Sequence, residues 1–255
     1  MLNQKDLPGS TRLKPNVPVA VQVANQLRGL LRREYAGGGR LPGENALAAH
    51  LGVSRGTLRQ ALAILQQEGL ISRHQGLGTF ANEPVLGIPA RIDYAYEFSE
   101  LINASGYEAD VKLLEKGRVA ADADTARRLQ IEPGAPLLRM RKLHLASGQP
   151  AIYVDYVLPI AVIGEDYDPA EIEQAPWRYL LHRYHRQMKY VVSELVPILA
   201  EGELAELLGV ACGTPTLKFI EISYDTKNAP LVFANVFFRH PIIRFHALQK
   251  VASVF

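Results

Sequence analysis

Three features of this sequence predict a multi-domain α+β protein. Two short amphipathic stretches meet at a tight turn between Leu41 and Glu68 and run into a glycine-rich ribbon; a basic leading portion gives way to a mildly acidic remainder near Asn82; and that remainder repeats its own pattern at an interval of 79 residues. The first predicts a small helical head with a β-ribbon, the second marks a boundary, and the third predicts a body built from two related halves.

Residues 1 to 16 hold Pro8, Gly9, Ser10 and Pro15 among charges without apolar periodicity, and are expected to form a flexible tail. The head is assigned to residues 17 to 82. Its first helix is expected after Pro18, with Val23, Leu27, Leu30 and Leu31 on one face, and Gly37-Gly38-Gly39 ends the pattern. Glu44 to Leu51 gives a second helix, closed by Gly52. A third opens at Ser54, a good N-cap, and buries Leu58, Ala61, Leu62 and Leu65, which leaves Arg55, Arg59 and Gln60 outward. Gly69 stops it. Leu70 to Arg73 and Gly78 to Ala81 then read as two strands around Gln75-Gly76-Leu77-Gly78. The layout is that of a winged helix-turn-helix, and arginines on the first turns of its third helix suit entry into a DNA major groove.

Charge supports this division. Up to Asn82 there are ten Lys and Arg against four Asp and Glu, and beyond it eighteen against twenty-two. A basic head suits phosphate neutralisation, whereas the body requires a different partner. With 48% hydrophobic residues the body can bury a sizeable core. No leading apolar signal segment and no membrane-length apolar run is present, and Cys212 alone cannot form an internal disulfide, so a cytoplasmic protein without a membrane partner is expected.

Pro84, Gly87 and Pro89 punctuate a linker expected over 83 to 91, and the body is assigned to 92 to 255. Within it Ala126, Leu129, Gly134, Pro136 and Leu138 recur as Ala205, Leu208, Gly213, Pro215 and Leu217; Pro150 recurs as Pro230 after one insertion. Each copy reads as a strand, a short helix ending at Leu129 or Leu208, a turn, and a hairpin bent at Ser147-Gly148 or Lys227-Asn228. Two copies related by a pseudo-twofold axis pack most simply as one shared, mainly antiparallel sheet with helices on a face, and a cleft between the halves is a natural pocket.

The series Leu41 to Glu44, Val53 to Arg59, Glu68 to Ile71 and Gly76 to Phe80 resembles the GntR family of bacterial transcription regulators, in its HutC-like branch. Phe98-Ser99-Glu100, Arg139 to Lys142, Gly148-Gln149-Pro150 and Phe238-Arg239 resemble its UTRA ligand-sensing domain, whose fold is similar to chorismate lyase. The resemblance implies DNA contacts from Arg55, Thr57 and Arg59, with Asn45, Ser54 and Gln75 beside them and the wing tip Gly76 in or beside the minor groove. Relatives often carry arginine where Asn45 and Leu77 stand here, so the operator is not transferable. For the sensing domain the resemblance implies effector contacts from Ser99, Arg139, Arg141, Asp155 and Phe238. Glu97 occupies a position where sugar-phosphate binders often have a hydroxyl; the expected effector is therefore non-phosphorylated, with an organic acid held by Arg139 or Arg141 as the candidate class. A structural salt bridge is the alternative for those arginines.

The expected function is a ligand-responsive repressor that binds double-stranded, palindromic operator DNA as a homodimer, with no cofactor, no metal and no catalytic residues. Two other readings compete: an enzyme built on the chorismate lyase-like domain, and a DNA-binding protein whose body only dimerises. Gly52-Val53-Ser54-Arg55-Gly56 spells a hydrolase nucleophile elbow, but a helix rather than a buried strand precedes it. His182 and His185 lack a companion metal ligand, Cys212 is read as a small packing residue, and Gly76 to Thr79 lacks the lysine of a phosphate-binding loop.

Overall fold

In the computed structural model the described residues are 18–174 and 176–249, so the tail expected over 1 to 16 lies outside them. The chain divides into two compact units, one running to Pro89 and joined by the segment from Leu248, the other Ala90–Ala247.

In the first unit α1 (Val19–Glu34), β1 (Gly39–Arg40), α2 (Glu44–Leu51), α3 (Arg55–Gln67), β2 (Ile71–His74), β3 (Gly78–Ala81) and α4 (Glu83–Leu86) follow in order. Apolar residues three and four apart give each long helix one buried face: Val23, Leu27, Leu30 and Leu31 from α1 meet Leu58, Ala61, Leu62 and Leu65 from α3, all at most 3% exposed. Gly52, in the left-handed region at φ 65°, turns the chain out of α2, and Ser54 then caps α3 by accepting a hydrogen bond from Thr57 N–H at 3.1 Å. The ribbon is antiparallel in the order β1-β3-β2. Where the sequence predicts linker from residue 83, the chain instead forms α4. Pro84 sits in its first turn, where a missing N–H costs nothing, and Leu86 packs into the head's core.

The second unit contains α5 (Phe98–Ala104), β4 (Ala109–Ala120), α6 (Ala123–Leu129), β5 (Pro136–Ala146), β6 (Gln149–Pro159), α7 (Ile160–Ile163), α8 (Pro169–Gln174), α9 (Pro176–Tyr184), β7 (Met188–Ala200), α10 (Gly202–Leu208), β8 (Thr214–Asp225) and β9 (Pro230–Phe238). Six antiparallel strands form one sheet in the order β4-β5-β6-β9-β8-β7. The order reads symmetrically about the β6–β9 pair, as the repeat predicts. Asp155 on β6 pairs with Asn235 on β9, its own counterpart, so the pseudo-twofold passes between them. Lys142 on β5 and Glu221 on β8 are likewise counterparts.

Helices pack on both faces of the sheet's central strands, while the edge strands β4 and β7 are largely exposed. On one face, α6 packs against β9 and α10 against β6, each helix reaching into the opposite half. Leu129 and Leu137 close one cluster there, Leu208 and Leu143 the other. The opposite face carries the larger core, with Leu101 and Ile102 from α5, Ile172 from α8 and Tyr179 and Leu180 from α9 lying over Met140, Ile152, Val154 and Val236. Among the described residues no helix is long and apolar enough to cross a membrane.

Candidate functional site

The head presents one polar surface. Arg55 and Arg59 project from the first turns of α3 and are exposed, as are Asn45 on α2 and Gln75 and Gly76 at the ribbon tip; Ser54 is exposed at the cap and Thr57 is half-buried. Ser54 Oγ and Thr57 Oγ1 lie 2.9 Å apart, so two of the predicted contacts are tied to each other. A groove runs from α3 to the ribbon, lined in part by Arg40, Arg59, Arg73, His74 and Gln75. Glu44 crosses it: it forms an ion pair with Arg73 and lies 3.9 Å from Arg59 Nε. The charge density of the groove is thus trimmed from within, whereas Arg55 has no hydrogen-bond or ion-pair partner among the described residues.

Sequence reasoning missed Arg40, Arg73 and His74. Arg40 belongs to a two-residue strand, too short for periodicity to register. Its guanidinium lies over Gly78, where a Cβ would come within 3.0 Å of Nε; that close approach, with φ 108°, explains the second wing glycine. The adjacent basic residues Arg73 and His74 at the end of a predicted strand were the available signal.

The body holds a cavity of about 330 Å³ on the α5, α8 and α9 face of the sheet, large enough for a small metabolite. Both halves line it: Val111, Lys142, His144 and Tyr156 from the first, and Val191, Phe219, Glu221 and Ser223 from the second. Glu97, Phe98, Ser99, Glu173 and Trp177 close it from the covering segments. Phe98 stands edge-on to His144 with ring centroids 5.0 Å apart, and Phe238 packs edge-on to Phe219 at 4.8 Å.

The predicted effector contacts separate. Ser99 and Phe238 line the cavity. Arg139, Arg141 and Asp155 do not; they project from the opposite face, and this corrects the sequence reading. Arg139 Nε and Nη2 donate to the two carboxylate oxygens of Asp155 at 2.9 and 2.5 Å. Arg141 Nε donates to Tyr153 Oη at 2.6 Å, Nη2 to Glu203 on α10 at 2.6 Å and Nη1 to Glu115 at 3.2 Å. Side chains alternate across a strand, so these arginines and the cavity-facing Lys142 and His144 necessarily point to opposite sides. The organic-acid assignment therefore loses its anchor.

The cavity's own ionisable groups are perturbed mainly by burial. Desolvation lowers Lys142, while the nearby carboxylates of Glu173 and Glu97 oppose it, and its ammonium donates to the Glu173 carbonyl. His144 is pushed down to about 4 by burial and then by Lys142, so its imidazole is neutral near pH 7; its Nδ1 is buried with no hydrogen-bond partner. Burial raises Glu97, with Glu100 adding to it, and burial raises Glu221 against a stabilising bond from Ser193. Among the described residues no group of three or more His, Cys, Asp or Glu is placed to hold a metal ion.

Comparison with known proteins agrees with these two units. Residues 19–81 match the model described as bacterial regulatory proteins, gntR family, and residues 104–244 match the UTRA domain. An HTH-type transcriptional regulator from Mycobacterium tuberculosis is 29% identical over 227 residues, covering 85% of this chain and 80% of its own. An uncharacterized HTH-type transcriptional regulator from Rhizobium meliloti is 28% identical over 221 residues, covering 85% and 89%. The transcriptional repressor NagR of Bacillus subtilis is 24% identical over 224 residues, covering 88% and 91%. Among solved structures, the possible transcriptional regulator YydK of Bacillus subtilis superposes with a TM-score of 0.73 at 19% identity, covering 92% of this chain and 100% of that one.

Proposed function

The chain belongs to the GntR family of bacterial regulatory proteins and carries a UTRA domain, and from that premise we propose that it is a repressor that binds a two-fold symmetric operator as a homodimer and releases or tightens its grip when a small molecule fills the body's cavity. It is a regulator rather than an enzyme. The observation that carries the DNA-binding half is Arg55 and Arg59 exposed on the capped start of α3, beside a glycine-tipped wing. Arg55 and Arg59 would contact bases or phosphates, Thr57, Ser54, Asn45 and Gln75 would position the helix and wing, and Gly76 would allow the wing close to the backbone. One such head covers a half-site, so affinity requires a second copy. Repression is the sign favoured by the names of two relatives, NagR and the mannosyl-D-glycerate system repressor of Escherichia coli.

The cavity supports the sensing half because both halves of the repeat contribute to it, so one occupant touches both. An occupant changes DNA affinity only by as much as it binds one arrangement better than the other, typically about 1–3 kcal/mol. Selection of duplexes from a random pool with the full-length protein, followed by sedimentation of the protein alone and on the selected duplex, tests the proposal. A palindromic consensus bound by two protomers is the expected result. No enriched sequence, or a monomer on DNA, would overturn it.

A further inference from the structure

The polar groups of the cavity are incompletely matched, and the mismatch has a sign. Among the described residues four charged side chains line it: Glu97, Lys142, Glu173 and Glu221. Glu173 receives Lys116 Nζ at 2.6 Å, and Lys142 is held by the Glu173 carbonyl with two carboxylates nearby. Glu97 stands at the N-cap position of α5 yet makes no capping bond. Glu221 accepts one neutral hydrogen bond, from Ser193 Oγ at 2.9 Å, and no cation faces it among the described residues. A half-buried carboxylate with one neutral partner gains when a cation or further donors reach it.

The surroundings of Glu221 leave room for that cation. Ala234, its neighbour across the β8–β9 ladder, is too small to cover the carboxylate, and Phe219, two residues along the same strand face, offers an aromatic wall. Phe238, Phe245 and Trp177 extend that wall, giving a flat apolar guest its contacts and an ammonium the negative faces of rings. A phosphate or carboxylate would instead meet Glu97 and Glu221, while Lys142 is already engaged.

We propose that the effector is an organic cation, a protonated amine on a flat apolar body, with its ammonium on the Glu221 carboxylate and its body against Phe219, Phe238 and Trp177. The assignment rests on the reading of this cavity as the effector site, and names the chemistry that site selects.

Calorimetry with full-length protein near neutral pH, using four probes that share one ring, tests it: phenethylamine, 2-phenylethanol, phenylacetate and phenyl phosphate. Phenethylamine is expected to bind at least about tenfold more tightly than each of the others, and E221Q to bring it within about twofold of the alcohol. Equal or tighter binding of the alcohol or either anion, no binding of the amine, or an amine preference that survives E221Q would each overturn the proposal. The ranking in the parent decides even if E221Q fails to fold. Tight binding of an anion would leave the regulator reading standing, whereas failure of the parent to select DNA would sink that reading by a separate measurement.

Discussion

Arg139 on β5 reaches diagonally to Asp155 on the adjacent β6, two residues from its register partner Val157, and joins it through two parallel hydrogen bonds at 2.9 and 2.5 Å. Asp155 is itself paired with Asn235 at the pseudo-twofold, so the fork braces the sheet where its two halves join. Arg141, next on that face, ties β5 to α10 through Glu203. Both arginines therefore act on stability. Arg139→Ala and Arg141→Ala should each lower unfolding stability by about 1–2 kcal/mol, discounted for partial solvent exposure, and leave binding in the cavity unchanged. Urea titrations beside calorimetry with a cavity probe separate the two effects; a lost ligand with an unchanged midpoint would return these residues to the binding site.

For the head, Arg55→Ala and Arg59→Ala should each cost about 1–3 kcal/mol of binding to the selected duplex, with unaltered circular dichroism, because neither side chain packs in the core. Gel shifts give the affinities. Full binding by both variants would place a different element in the groove.

Glu44 makes an opposite prediction. It neutralises Arg73 and lies beside Arg59, so Glu44→Gln should strengthen binding to random-sequence DNA and steepen its salt dependence by about one unit of log-log slope. Fluorescence anisotropy across a salt series measures this. An unchanged slope would mean that the paired arginines lie away from the phosphates.

Ser54→Ala removes the cap of α3, and with it the acceptor for Thr57 N–H. A loss of about 1 kcal/mol in stability is expected, with a smaller loss for Ser54→Gly. Thermal unfolding of the two variants checks the order, and a larger loss for glycine would contradict the capping role.

His144 links the cavity to acidity. In the folded chain it titrates at about 4, against an ordinary 6.5, so between those values the unfolded chain holds a proton that the folded chain lacks. Stability from this group is complete above pH 6.5 and falls on acidification towards 4, by at most about 3 kcal/mol. Glu97 and Glu221, raised by burial, act in the reverse sense and favour the folded state as pH falls. His144→Phe should therefore lose less stability than the parent between pH 6.5 and 4.5. Denaturant titrations at both pH values measure it, and equal losses would show an imidazole open to solvent.

The head was legible because its signals are local: the spacing of Leu58, Ala61, Leu62 and Leu65, the Ser54 cap and the left-handed Gly52 lie within one or two turns of what they specify. The short helix over Glu83–Leu86 escaped because Pro84 and Gly87 read as breakers, although proline is welcome in a first helical turn. In the body the 79-residue repeat carried the shared antiparallel sheet, but not which face holds the cavity. Helices cover both faces, so β5 is apolar on each side and alternation cannot rank Arg139 and Arg141 against Lys142 and His144. Glu221 was invisible for a related reason: a lone glutamate in an amphipathic strand looks solvated until the partner strand and its small Ala234 are in place.

The doubling that produced the sheet also gave the cavity a direction. Had the two copies stayed identical, a guest could enter in either of two senses and lose nothing by turning end over end. Instead Lys142 and Glu221 hold equivalent rungs with opposite charge, so an electric field runs across the cavity from one half to the other. A molecule with unlike ends sits one way round. Orientation of the guest is thus a property of how the copies diverged, not of either copy alone.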